Sequence, residues 1–399
     1  MILKDTIFQV LRDPMPPLRP AREVKREVAA TFPRTNREAI ILKGVRRSGK
    51  STLLFQQMRR CRNAVFCNFE DTRLFGFGPD DFTRFIECVQ SLAPSPLTLF
   101  LDEVQEVEQW ERLVRALLDK GHSIWVSGSN ASLLTREVGA KLTGRHRSFE
   151  IFPFTYGEFL KFRKLKANAA SLDRFMREGG FPSFLADGDG AFLQTLLRDI
   201  VLRDIALRHN LRETRHLMNL VLFLLAHTGQ PFSLQKLSKV LQIPSVNQTG
   251  AYLGYLEDAY LLQSLPKHSH SFKKRVVTPR KYYAVDNGLA AANNPQATPD
   301  RGCRLENQVF LALRQRGIQA GYDSETDLWE CDFVYDETAL QVCLELNDTN
   351  REREIKGLLE AIRASRGRLK KALILTLNQS DQIEADGQKI TLQPAWKWL

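Results

Sequence analysis

The chain has no apolar run of about 18 residues, so no stretch of it reads as a membrane-spanning helix. Its first residues also lack the long apolar core of a secretory signal. The six cysteines, Cys61, Cys67, Cys88, Cys303, Cys331 and Cys343, include no C-x-x-C pair and no zinc-ligand spacing. They read as reduced thiols in a soluble cytoplasmic protein with no membrane partner. Internal repeats and low-complexity tracts are absent too, which excludes a solenoid and a disordered tail. Acidic residues are in the minority, 46 against 57 Lys and Arg, for a net charge of +11. That excess favours a polyanionic partner, because each neutralised phosphate releases counterions. With 399 residues, 43% hydrophobic and 26% charged, the composition is globular and predicts two or three domains.

One stretch organises the rest. Ile40 to Leu42 reads as a short buried strand, Gly44-x-x-x-x-Gly49-Lys50-Ser51 follows, and Thr52-Leu-Leu-Phe opens a helix. This is the phosphate-loop pattern in its required strand–loop–helix setting. The glycines let successive N–H groups face a phosphate, and the helix adds the positive end of its dipole. Gly44, Arg46, Arg47, Ser48, Gly49, Lys50, Ser51 and Thr52 are therefore the expected ATP contacts. Lys50 would reach the β- and γ-phosphates, and Ser51 would hold Mg²⁺.

From 34 to 150 strands and helices alternate, as a parallel α/β sheet requires. The strand Leu97–Leu101 ends in Asp102-Glu103. In a parallel sheet the carboxyl ends share one rim with the phosphate loop. Asp102 then belongs to the Mg²⁺ shell, while Glu103 orients and deprotonates the attacking water. Ser127, Ser129 and Asn130 follow the next strand, where a polar group would touch the γ-phosphate or the water. Beyond them Arg145 is the expected arginine finger, acting on a neighbouring subunit, with Arg147 in reserve. That arrangement implies a homo-oligomer, and a hexameric ring is one form it takes.

Residues 1–33 read as an arm or linker and 151–210 as a helical lid or connector, broken at Gly179-Gly-Phe-Pro182. Between 211 and 290, three helices and a two-stranded hairpin follow the winged-helix plan. Ser233 would cap one helix, and Ser245, Asn247 and Gln248 would open the helix facing the DNA major groove. Lys273, Lys274 and Arg275 would lie along phosphates at the wing tip. Winged helices also dock proteins, so the pattern leaves that alternative open. Residues 291–399 form a third, α/β unit.

Several passages together resemble one group of prokaryotic AAA-type ATPases, the DUF4143-containing group. They are Gly44 to Thr52, Leu101-Asp-Glu-Val-Gln105, Ser127-Gly-Ser-Asn130, Leu142-Thr-Gly-Arg145, Phe149-Glu-Ile-Phe-Pro-Phe154, Glu178-Gly-Gly-Phe-Pro182 and Lys281-Tyr-Tyr-Ala-Val-Asp286. The resemblance implies ATP hydrolysis, a winged helix and a nuclease-like C-terminal fold. The last unit looks like the PD-(D/E)-x-K scaffold, which needs two carboxylates for a divalent metal and a nearby lysine. Glu306 and Asp332 stand at plausible places, but Gln341 replaces an acid and Cys343 replaces the lysine. A shifted reading, Glu345-Leu-Asn347, recovers the acid alone. The domain reads as a degenerate nuclease fold kept for binding or structure. The function expected is a DNA-remodelling or DNA-translocating ATP hydrolase acting on duplex or branched DNA. A regulatory or signalling ATPase with protein partners is the alternative.

Overall fold

The computed structural model describes residues 1–14, 23–33, 38–92, 96–129, 142, 144–268, 278–294 and 300–399. Asn130 and the expected wing-tip residues Lys273, Lys274 and Arg275 lie outside them. The chain divides into two compact units, 1–153 with 258–260, and 154–257 with 261–399.

The first unit is built on a sheet of five parallel strands in the order β2-β3-β4-β1-β5. These are β1 (Ala39–Lys43), β2 (Ala64–Asn68), β3 (Thr98–Asp102), β4 (Ser123–Gly128) and β5 (His146–Glu150). The helices are α1 (Lys4–Arg12), α2 (Lys50–Met58), α3 (Phe82–Leu92) and α4 (Trp110–Asp119). Side chains alternate across a strand, and β1 divides accordingly. Ala39 and Ile41 join the apolar layer that takes in Ile7, Val10 and Leu11 of α1, with Phe85 and Leu113. Ile40 and Leu42 face Leu53 and Leu54 of α2, with Phe66 and Phe100. Apolar side chains on both faces are what a parallel sheet covered by helices demands. The edge strand β5 escaped the sequence reading because His146-Arg-Ser-Phe-Glu150 carries no apolar run. Arg147 therefore lies in the sheet rather than beyond it, paired in register with Ile40.

The second unit starts with α5 (Tyr156–Arg163), α6 (Ala169–Glu178), α7 (Pro182–Asp187) and α8 (Gly190–Asp199). The helix expected to continue past Arg198 does so with the wider π-type winding, over Ile200–Leu207. Helices α9 (Arg215–Ala226), α10 (Leu234–Val240) and α11 (Val246–Asp258) come next. The Ser233 hydroxyl caps α10 by accepting from Lys236 N at 3.2 Å. Strands β6 (Pro231–Phe232), β7 (Leu262–Leu265) and β8 (Arg280–Ala284) form a three-stranded antiparallel sheet, one strand more than the expected hairpin. After α12 (Asn287–Ala292) and α13 (Arg301–Gln315) come β9 (Gly321–Glu325), β10 (Trp329–Tyr335), β11 (Thr338–Val342), α14 (Arg351–Ala364) and β12 (Lys371–Thr376). Strands β13 (Asp381–Ala385) and β14 (Gln388–Pro394) complete a six-stranded mixed sheet, and α15 (Ala395–Trp398) ends the chain.

Asp286 explains two of the sequence motifs at once. Its carboxylate caps α12 by accepting from Leu289 N at 2.9 Å, and it accepts from Gly180 N at 2.6 Å. A Cβ on Gly179 would stand 2.2 Å from the same carboxylate, and one on Gly180 would stand 2.5 Å from the Phe154 carbonyl. The paired glycines are therefore the surface against which Asp286 closes. Burial pushes its carboxyl up to about 6, against the pull of those N–H groups.

All six cysteines are unpaired, and among the described residues no helix is long and apolar enough to cross a membrane. Replacing Asp286 with alanine should destabilise the second unit by about 2–4 kcal/mol, since it removes a helix cap and strands two buried donors. Urea unfolding followed by circular dichroism measures it, and a loss within experimental error would contradict the latch.

Candidate functional site

The phosphate loop leaves β1 at its carboxyl end and packs flush against the following chain. Ile151 N donates to Lys43 O at 2.7 Å, and a Cβ on Gly44 would lie 2.1 Å from the Ile151 carbonyl oxygen. Gly49 sits in the left-handed region, φ 94°, as the residue before α2. Arg47 adopts φ 66° without being glycine, a strain of about 1 kcal/mol or more that the surrounding loop has to sustain.

Lys50 is the first residue of α2 and only 3% exposed. Its ammonium donates to the carbonyls of Gly44 and Val45, both at 3.0 Å. Ser48 is fully buried, and its hydroxyl has no hydrogen-bond partner among the described residues. Arg46 reaches Glu70 at 3.3 Å.

Strand β4 lies between β1 and β3. It therefore sets its own polar end between the phosphate loop and the two carboxylates. Asp102, 2% exposed, ends β3 and accepts from the Ser127 hydroxyl at the end of β4. Burial pushes its carboxyl up to about 6, reinforced by neighbouring Glu103 and opposed by the Ser127 and Ser51 hydroxyls and by the charge on Lys50. Glu103 turns out of the strand with φ 52°, and Gln105 donates to its carboxylate. Ser129 is buried just past β4. Lys50, Ser51, Asp102, Ser127 and Glu103 thus meet at one rim of the sheet.

Arg145 does not join them. Its carbonyl accepts from Ala39 N, at the opposite, amino end of β1, and its guanidinium pairs with Asp119 at 2.5 Å. Four residues of strand at about 3.3 Å each separate that end from the phosphate loop. Arg145 is therefore not part of its own chain's phosphate-loop rim.

In the second unit Ser245 and Asn247 are exposed at the start of α11, and Gln248 is half-buried with its amide donating to Tyr252 Oη at 2.7 Å. Gln341, on β11, is spent on structure: it accepts from Asp332 N at 2.9 Å and donates to Glu330 O at 3.1 Å. Cys343 is buried, and burial pushes its thiol up to about 12, so it stays protonated. Among the described residues no group of three His, Cys, Asp or Glu side chains is arranged to hold a metal ion.

This strand–loop–helix site on a parallel sheet defines a P-loop ATPase, and residues 36–160, which contain it, match the AAA domain family. The chain belongs to the same family as the uncharacterized protein MJ1544 of Methanocaldococcus jannaschii. The two are 30% identical over 437 residues, spanning 100% of this chain and 96% of that one. An uncharacterized protein of Haemophilus influenzae is 32% identical over 381 residues, 89% of this chain and 93% of its own. Residues 169–299 match a domain of unknown function, DUF8612. The expected DUF4143 region is not shown; a different domain of unknown function is found. Two of the motifs behind that expectation, Glu178–Pro182 and Lys281–Asp286, meet in the Asp286 latch. Among solved structures, the chain is similar to the Walker-type ATPase PABY2304 of Pyrococcus abyssi, with TM-score 0.46 and 14% identity over 72% of this chain and 99% of that one. It is also similar to the Aeropyrum pernix Orc1 protein in complex with DNA, with TM-score 0.32 and 13% identity over 72% and 95%. Likeness at that level carries no functional argument.

Sequence reasoning missed Arg26, which it left inside an arm. The side chain is buried, donating to Ser48 O at 2.9 Å and to Phe152 O at 2.6 Å. It clamps the phosphate loop from below. Its only sequence signal is position: one arginine among several in a proline-broken segment. Arg26→Met should weaken nucleotide binding about tenfold, the cost of one charge-assisted hydrogen bond to a preorganised loop. Fluorescent-nucleotide titration reads this, and unchanged affinity would remove Arg26 from the site.

Proposed function

We propose that this chain is a Mg²⁺-dependent ATP hydrolase that works as a homo-oligomer and couples turnover to remodelling of duplex or branched DNA. The observation that carries the hydrolase is the meeting of Lys50, Ser51, Asp102 and Glu103 at one rim. The Ser51 hydroxyl stands close enough to Asp102 to lower its carboxyl, so two oxygen donors suited to Mg²⁺ stand together. The buried Ser48 hydroxyl without a partner also fits a loop shaped for a ligand. When bound, the metal neutralises phosphate charge.

Lys50 exchanges its two carbonyl partners for the β- and γ-phosphates, and the N–H groups opening α2 complete the cradle. Gly44, Arg46, Arg47, Gly49 and Thr52 line the same loop. Glu103 takes a proton from the attacking water, with Gln105 fixing the direction of its carboxylate. Ser129 faces the γ-phosphate, and Arg145 of a neighbouring chain stabilises charge on the transferred group.

The DNA reading rests on charge. Between 211 and 290 there are ten Lys and Arg against four Asp and Glu, and three of the ten are Lys273, Lys274 and Arg275. The order α9-α10-α11 followed by a small antiparallel sheet supports a winged helix. The order α13-β9-β10-β11-α14-β12 supports a nuclease-like scaffold at 291–399. One observation favours the second reading, a regulatory ATPase with protein partners: α11 carries no lysine or arginine and ends in Glu257-Asp258. Base-reading side chains without phosphate-binding neighbours give little affinity.

Turnover measured with single strands, duplexes and four-way junctions decides between the two. Stimulation by DNA that fades steeply with salt supports remodelling, and no stimulation by any of them sinks it. Glu103→Gln should keep nucleotide binding and lose nearly all turnover, whereas Lys50→Ala should lose binding. Wild-type turnover in Glu103→Gln would remove Glu103 as the base. Mixing Arg145→Ala with Lys50→Ala protein, each inactive alone, should restore part of the activity through hybrid interfaces. Full activity of Arg145→Ala by itself would end the finger assignment.

A further inference from the structure

Lys281, on β8, is 1% exposed at its side chain, and its ammonium is surrounded by carboxylates. Glu330 lies at 2.8 Å, Glu306 at 3.0 Å and Asp332 at 3.3 Å. The ammonium donates to Glu306 and Asp332 and forms an ion pair with Glu330. Two of the acids have a further donor: Tyr283 donates to Glu306 at 2.7 Å, and Val342 N donates to the second oxygen of Asp332 at 2.9 Å. The Tyr322 ring lies 5.7 Å from the ammonium. Residues two apart on a strand share a face, so Lys281 and Tyr283 approach α13 and β10 together.

Glu306 and Asp332 are the carboxylates that the sequence assigned to a divalent metal. The missing lysine is therefore present in space, supplied from another sheet, but it sits among the acids rather than beside them. A nucleophile-activating lysine must reach water, and Lys281 is sealed. We propose that Lys281 is a built-in replacement for the divalent cation: its ammonium fills the carboxylate cluster, keeps metal out, and fastens the three-stranded sheet to the C-terminal α/β layer. Burial opposes charge on Lys281, and Glu306 with its neighbours outweighs that cost. A second link runs beside it, where Lys267 pairs with Tyr322 of β9 and His268 N donates to Tyr322 O at 2.6 Å. The inference stands apart from ATP turnover, since none of these residues belongs to the phosphate-loop rim.

The test is Mn²⁺ titration, by electron paramagnetic resonance, of the full chain carrying Asp102→Asn to silence the phosphate-loop site. With Lys281 in place no stoichiometric site should appear. Lys281→Ala should create one, tightening Mn²⁺ binding by about tenfold or more, and adding Asp332→Asn should abolish it. A folded Lys281→Ala protein that gains no site overturns the proposal. So does Mn²⁺ binding or Mg²⁺-dependent DNA cleavage in the Lys281 protein that Glu306→Gln or Asp332→Asn removes. If Lys281→Ala fails to fold, Lys281→Met combined with Glu306→Gln and Asp332→Asn keeps the question decidable. The proposal expects the two acid substitutions to recover part of the stability lost in Lys281→Met, and strictly additive losses would overturn it.

Discussion

A buried charge costs several kcal/mol unless partners within hydrogen-bonding distance match it, and each unit of this protein is arranged around one such lysine. The two are matched differently. Lys50 donates to two neutral carbonyls of its own loop, with Asp102 near enough for each to feel the other's charge. Neutral acceptors are easily exchanged for a charged phosphate, so the site stays open to an anion. Lys281 donates to two carboxylates, Glu306 and Asp332, and is paired with a third, Glu330. Nothing arriving from solvent offers it more, so that cluster is closed. The same residue type thus makes a ligand site in one unit and a strut in the other, and the difference lies wholly in the charge of the acceptors.

Close backbone approach is the second constraint. Gly44 against Ile151 in the first unit, and Gly180 against Phe154 with Gly357 against Glu330 in the second, all bring a Cα where a Cβ would overlap a carbonyl oxygen. Such contacts fix segments to within a fraction of an ångström, because close-packed interiors have no room for the extra atom. At Gly44 the effect is chemical as well as structural. The loop that must present its N–H groups to phosphate is held on one side by Ile151 and below by Arg26, so it need not be ordered by the ligand.

What the sequence made legible is what local pattern encodes. The apolar run of β1, the glycine spacing after it and the carboxylates ending β3 each declare themselves within a few residues. Strand β5 was hidden because an edge strand of polar residues has no apolar period to read. The third strand of the small sheet, Pro231–Phe232, is too short to show one. Arg26 and Lys281 were hidden for a different reason. Their roles depend on partners more than 20 residues away, Ser48 and Phe152 for the one, Glu306, Glu330 and Asp332 for the other, and no spacing rule connects them. Lys281 was on view in a quoted motif, yet the scaffold's lysine was sought only beside β11.

The charge of the second unit then takes on a more specific meaning. Its most buried cation is committed to internal carboxylates, so Lys281 contributes nothing to an outward field. Helix α11 adds no cation of its own. If the second unit meets DNA as proposed, its phosphate contacts must come from exposed cations such as Lys236 and Lys239 of α10. Phosphate contacts set affinity and register while base contacts set preference. On the DNA reading, α11 with Ser245 and Asn247 at its start would read shape or a few base edges rather than a long sequence. Under the remodelling reading that division would suit action on many sequences, and a carboxylate cluster filled by lysine would suit holding DNA without cutting it.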